Sequence, residues 1–175
     1  MQRIAVAGHS FGALTAIIKA GLTLQPGQYH FDESASDPRF RAVINMSGVG
    51  PMPMLTDDAF RHINVPLLAT GGTEDEGNLG TGPVFPWEWR MSAYTDAAPG
   101  EKYSLVLQDA DHYLGGLLGR HDRGGNADPD GLAIVYAVTT AFLAAQLRAT
   151  PGALDWLKVD ELAAATHGRA TLKYT

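Results

Sequence analysis

The residues after Arg3, Ile4-Ala5-Val6-Ala7, form a short apolar run, and 13–22 is almost continuously apolar, a pairing that predicts a buried strand followed by a helix. The alternation then repeats. Residues 41–46 predict a second strand, 65–70 a third that ends at Gly71-Gly72, and 103–107 a fourth. Between them lie a polar, proline-containing connection at 25–40, one or two helical turns at 57–62, a loop at 74–86 and a helix at 87–97. Asp128-Pro129 offers an N-cap and a proline suited to the first helical position, so a long helix is predicted over 132–148. The tail carries a short helix around 154–157. Strands that alternate with helices predict an α/β fold, with a mostly parallel four-stranded sheet and helices on both faces. No repeat, low-complexity tract or long linker divides the chain, so one domain over 1–175 is expected.

The junction of the first strand and helix reads Gly8-His9-Ser10-Phe11-Gly12. This is the context of a nucleophile elbow, in which a sharp strand-to-helix turn holds a serine hydroxyl exposed at the helix N-terminus. Side chains two residues either side of the serine are expected to collide, hence glycine at 8 and 12. The backbone N–H of Phe11 and the positive end of the helix dipole can then stabilise an oxyanion. With 20 glycines and six serines in 175 residues, random placement yields roughly 0.08 such patterns. The rival reading is a glycine-rich turn that merely contains a serine.

Two further residues follow predicted strands, where open α/β sheets gather their chemistry. Asp75 lies beyond the third strand in Gly72-Thr73-Glu74-Asp75, and His112 beyond the fourth in Ala110-Asp111-His112-Tyr113. The order Ser10, Asp75, His112 is serine, acid, histidine, with His112 as general base and Asp75 as its orienting carboxylate. Glu74 and Glu76 flank Asp75, and either could serve as the acid instead. Of the other histidines, His9 is inside the elbow, His30, His62 and His121 are in loops, and His167 is in the tail. Phe85, Trp87 and Trp89 could line an acyl pocket, but aromatics at helical spacing read better as core. Asn126, Asp128 and Asp130 resemble the start of a calcium loop without its closing glutamate, and read as turn and cap residues.

Composition narrows the function class. A net charge of −6 and scattered Lys and Arg argue against nucleic-acid binding, and the lack of cysteine removes disulfides, thiolate metal sites and a cysteine nucleophile. No apolar stretch reaches about 18 residues without polar interruption, so no membrane span is expected. No signal-peptide pattern precedes the first strand, and a cytoplasmic location is the default. No cofactor is implied.

Gly8-His9-Ser10-Phe11-Gly12, Asp37-Pro38-Arg39-Phe40, Gly72-Thr73-Glu74-Asp75 and Ala110-Asp111-His112-Tyr113, in that order, resemble the second half of α/β-hydrolases of the dienelactone-hydrolase-like and platelet-activating-factor-acetylhydrolase-like group. The endings Thr139-Thr140-Ala141-Phe142-Leu143, Ala153-Leu154-Asp155-Trp156-Leu157 and Gly168-Arg169-Ala170-Thr171-Leu172 are similar too. The resemblance implies a cofactor-free serine esterase that acts on small ester substrates through an acyl-enzyme. In that family the elbow lies mid-chain, whereas here it begins at residue 8, so the chain resembles the C-terminal half of the fold. The half without a counterpart normally carries the second oxyanion donor, whose loss costs about 10² to 10³ in turnover. The first strand is then expected to present an unpaired apolar edge at 4–7, and the first helix an uncovered face, favouring a homodimer formed edge to edge. A catalytically silent interaction module, or a peptidase or acyltransferase with the same triad, is the alternative.

Overall fold

A computed structural model describes residues 3–27, 35–80, 82–122, 125–158 and 161–175. His30 lies outside the described residues. The apolar runs become strands β1 (Ile4–His9), β2 (Phe40–Met46), β3 (Leu67–Gly72) and β6 (Lys102–Leu107). The helices are α1 (Phe11–Lys19), α2 (Ser92–Thr95), α3 (Pro129–Arg148), α4 (Ala153–Lys158) and α5 (Leu162–Ala165). Strand order is β1-β2-β3-β6-β7, with β7 spanning Ala170–Tyr174. The first four strands are mutually parallel, and β7 pairs antiparallel to β6. Parallel neighbours bring all four C-terminal ends to one edge of the sheet. The register sets His9 beside Met46 and Gly72 beside Leu107.

Successive side chains of a strand alternate in face, and the core divides accordingly. Val43 and Leu67 pack with Leu14 and Ile17 of α1, while Ala42, Ile44 and Leu68 pack with Val138 and Phe142 of α3. Helices therefore cover both faces, as expected. Burying Phe142 and Val138 completely stabilises the α3 side by roughly 1.5 to 3 kcal/mol each. Asp128 caps α3 by accepting the Gly131 N–H at 2.9 Å, and Pro129 opens the helix. Arg169, just ahead of β7, pairs with Asp128 and ties the C-terminal strand to that cap.

Four expectations need correction. The main sheet has five strands, not four, because residues 170–174 add an antiparallel edge with alternating burial too brief to register as a pattern. The loop over 74–86 contains a two-stranded pair, β4 (Gly77–Asn78) with β5 (Val84–Phe85), and 87–97 is a 3₁₀ segment, Trp87–Met91, leading into α2. α1 is not uncovered. Gly12, Thr15 and Lys19, spaced for one helical face, take the solvent side, while Ala13, Leu14, Ala16, Ile17 and Ile18 are buried, and the helix stops before Gly21, whose φ of 118° leaves it. The helix with exposed apolar surface is α3, where Leu132, Ala133, Tyr136 and Ala137 face solvent. By length and composition alone its 20 residues would also suffice to cross a membrane, which leaves the expectation of no span neither met nor overturned.

Among the described residues β1 is the outer strand and pairs only with β2. Ile4 and Ala7 are exposed there, whereas every residue of β3 is buried.

Candidate active site

The elbow begins with backbone strain. Ser10 sits between β1 and α1 at φ 57° and ψ −122°, a conformation that costs a non-glycine residue on the order of 1 to 3 kcal/mol and is held by its surroundings. One such hold is the Ser10 N–H, which donates to the Met46 carbonyl at the end of β2 at 2.9 Å. Gly8 permits the turn, because a Cβ there would lie 2.0 Å from the Gly12 carbonyl oxygen. Gly12 itself meets no such constraint: a Cβ would find nothing within 4 Å, since that position faces outward. The collision expected at both glycines therefore applies to Gly8 alone. Phe11 is the first residue of α1, so its N–H has no acceptor within the helix, and the residue, next to Ser10, is 65% exposed.

The acid and base loops are laced together. At the end of β3, the Thr73 N–H donates to Leu107 O at 2.9 Å and the Glu74 N–H to Ala110 O at 3.1 Å. In return the Asp109 N–H donates to Thr73 Oγ at 2.8 Å. Gly72 allows this approach, since a Cβ would lie 2.1 Å from the Ala110 oxygen. These contacts turn Asp75 inward, fully buried, while Glu74 and Glu76 stay exposed. Asp75 Oδ1 lies 2.8 Å from His112 Nδ1. Of the three acids, Asp75 is the one in contact with His112.

Three further residues brace this pair, none assigned to the site from sequence. The His9 ring rests on His112, with centroids 4.6 Å apart, and its Nε2–H donates to the His112 carbonyl at 2.8 Å. Burial pushes the His9 pKa down, so the neutral ring is favoured. Asp111 accepts the N–H groups of Tyr113, Gly115 and Gly125 at 2.8, 2.9 and 3.2 Å. Burial works to raise its pKa, yet these three donors leave it below the usual carboxylate range. Arg90 is the third. Buried behind Asp75, its Nε–H donates to the Asp75 carbonyl at 3.1 Å, Nη1 to the carbonyls of Ser47 and Gly48 at 3.3 and 3.1 Å, and Nη2 to that of Glu76 at 2.8 Å. Asp75 Oδ1 lies 2.5 Å from Nε without hydrogen-bond alignment, an ion pair made by charge alone. His9 is signalled by its place inside the elbow motif; Arg90 has no such signal.

Ser10, Asp75 and His112 thus follow the C-terminal ends of β1, β3 and β6. Among the described residues Ser10 Oγ makes no hydrogen bond, to His112 or to another group. Such a link is often long before substrate binds. The cavity beneath His112, lined by Met46, Thr70, Leu107 and Leu114, holds about 30 Å³, room for a water but not an acyl chain. A larger cleft of about 860 Å³, lined by Met52, Asp57, Asp58, Phe60, Arg61 and Asp96, touches none of the three. Trp87 and Trp89 pack against the α1-side core, with Trp89 stacked on Phe85 at 4.9 Å, in keeping with the core reading. No cluster of three or more histidine or carboxylate side chains is arranged to hold a metal ion among the described residues.

Compared with models of known protein families and with curated proteins, the chain matches none.

Proposed function

We propose that this chain is a serine hydrolase of carboxylic esters, of the α/β-hydrolase type, with Ser10 as nucleophile, His112 as general base and Asp75 as the orienting acid. One observation carries the reading: a buried carboxylate bonded to His112 Nδ1 at 2.8 Å, on the strand-end edge that also carries a strained serine at a strand-to-helix turn. The bond to Asp75 has a chemical consequence. A carboxylate can only accept, so the proton sits on Nδ1 and the Nε2 lone pair is free to act as base.

In the proposed cycle Nε2 takes the Ser10 proton as Oγ adds to the ester carbonyl. The tetrahedral oxyanion forms against the Phe11 N–H at the positive end of α1, and the imidazolium then protonates the departing alkoxide. Water repeats the sequence on the acyl-enzyme and returns Ser10. The exposed Phe11 ring flanks the serine on an open surface, which suits small esters.

The open Ser10 Oγ favours a second reading, a catalytically silent module that keeps the elbow as structure. Turnover of short-chain p-nitrophenyl esters and labelling by a fluorophosphonate separate the two. Ser10→Ala should abolish both, a loss on the order of 10⁴ to 10⁶ in turnover, with Asp75→Asn less damaging. Glu74→Gln and Glu76→Gln should leave turnover within about twofold, as exposed side chains outside the site do. Unchanged labelling of Ser10→Ala, or an unreactive wild-type chain, sinks the esterase reading.

A further inference from the structure

We propose that Arg90 is the positioning residue of the acid–base pair: its hydrogen bonds fix the Asp75 loop, and its charge balances the buried Asp75 carboxylate that holds His112. This role rests on the hydrolase reading above.

The two tasks fall to different parts of the contact. Every aligned hydrogen bond from the guanidinium goes to a main-chain carbonyl, two beyond β2 at Ser47 and Gly48 and two in the acid loop at Asp75 and Glu76. Four carbonyls converging on one planar fork lock the acid loop against the end of β2. That is the strand whose Met46 carbonyl also holds the Ser10 N–H, so the fork connects the acid to the elbow. A lysine ammonium, a single point of charge, cannot reproduce the fork.

The charge does the rest. The Asp75 side chain is fully buried, and Oδ2 has no hydrogen-bond partner among the described residues. Asp111 shows the alternative, a carboxylate held by three backbone N–H groups. Asp75 lacks such donors, and a buried charge without compensation costs several kcal/mol. Arg90, its side chain 8% exposed, is the cation in contact with it. The charged or titratable groups around His112 are then Asp75 and Arg90 from the acid side, His9 from β1, and Asp111 and Tyr113 from its own loop. Removing Arg90 leaves Asp75 uncompensated against the imidazole, which favours the imidazolium and delays its use as a base to higher pH.

The test compares Arg90→Met, which removes fork and charge, with Arg90→Lys, which keeps the charge. The readouts are kcat, KM, the pH profile of kcat/KM and the downfield proton resonance of His112 Nδ1 in the full chain. Arg90→Met should lower kcat about 10²-fold with KM little changed, the scale of a 1 Å misplacement. Its acid limb should move to higher pH, because the Asp75 charge beside the imidazole is no longer balanced. Its Nδ1 resonance should shift or broaden. Arg90→Lys should keep the acid limb near the wild-type position while still losing about tenfold in kcat. A folded variant of either kind with wild-type kcat and Nδ1 resonance overturns the proposal, as does an acid limb that moves equally in both. If Arg90→Met does not fold, the kcat and resonance of Arg90→Lys decide. An inactive wild-type chain ends the hydrolase reading, and the Nδ1 resonance then decides the role of Arg90 without turnover.

Discussion

Gly72→Ala should separate the acid from the base by inserting one methyl group. The added Cβ would stand 2.1 Å from the Ala110 carbonyl oxygen and 2.7 Å from its carbon, where ordinary contact starts near 3.4 Å. Both are backbone atoms and no side chain can swing aside, so the strand end and the histidine loop must part by about 1.3 Å. The same oxygen accepts the Glu74 N–H, next to Asp75, and lies two residues before His112. The displacement is thus delivered to both ends of the 2.8 Å Asp75–His112 contact. Overpacking of this kind destabilises by roughly 1 to 3 kcal/mol, a fall in Tm of about 2 to 12 °C for a chain of this length. A displacement near 1 Å at the reacting groups lowers kcat by about 10². Steady-state ester hydrolysis well below Tm, with the His112 Nδ1 proton resonance, reads both effects. Gly82→Ala, whose Cβ meets only Leu79 O at 3.9 Å, controls for loss of glycine. A Gly72→Ala protein with unchanged kcat and an unshifted resonance would refute the account of how the two loops are held.

Three other outcomes are expected. Burial lowers the His9 pKa below 6.5, so the unfolded chain binds more protons just below that value; stability should fall as pH drops through 6.5, and less so in His9→Gln, compared by urea unfolding at pH 8 and 5.5. Lys102 is buried with Nζ bonded to the Val65 carbonyl, and burial lowers its pKa, so its penalty stands in full at neutral pH and disappears only above 10.5. Lys102→Met should therefore stabilise by about 1 kcal/mol at pH 7, a rise in Tm of about 2 to 4 °C, and a fall in Tm would contradict this. The outer edge of β1 and the exposed face of α3 should drive self-association about a two-fold axis, so light scattering should give a dimer mass; a monodisperse monomer at micromolar concentration overturns that expectation.

Legibility in the sequence followed the carrier of each feature. Strands β2, β3 and β6 could be read because burial on both faces makes a parallel strand a continuous apolar run, and β1, although its outer edge is exposed, carries the same apolar run. The start of α3 could be read because capping is local, and Asp128 does accept from Gly131. β7 escaped because five residues ending in Lys173 and Tyr174 hold too little pattern to oppose the glycine and arginine before them. The acid could be narrowed only to three adjacent carboxylates, since choosing Asp75 depends on which way the loop turns after Gly72. That turn is fixed by hydrogen bonds to Leu107 and Ala110, 34 and 36 residues away from their donors.

Arg90 marks the limit of such reading. Arginine is rarely buried, so a basic residue beside Trp89 and Met91 is assigned to the surface by default. The groups that draw it inward are main-chain carbonyls, which every residue carries and no sequence distinguishes. Ser47 and Gly48 lie more than 40 residues before it, Asp75 and Glu76 about 15. They converge only because β2 and β3 are adjacent parallel strands that end at the same edge. The proposed nucleophile, base and acid declare themselves through side-chain chemistry at strand ends. The group proposed to position them is specified by the topology, and for that reason its substitution is the more searching test of whether the site is built as described.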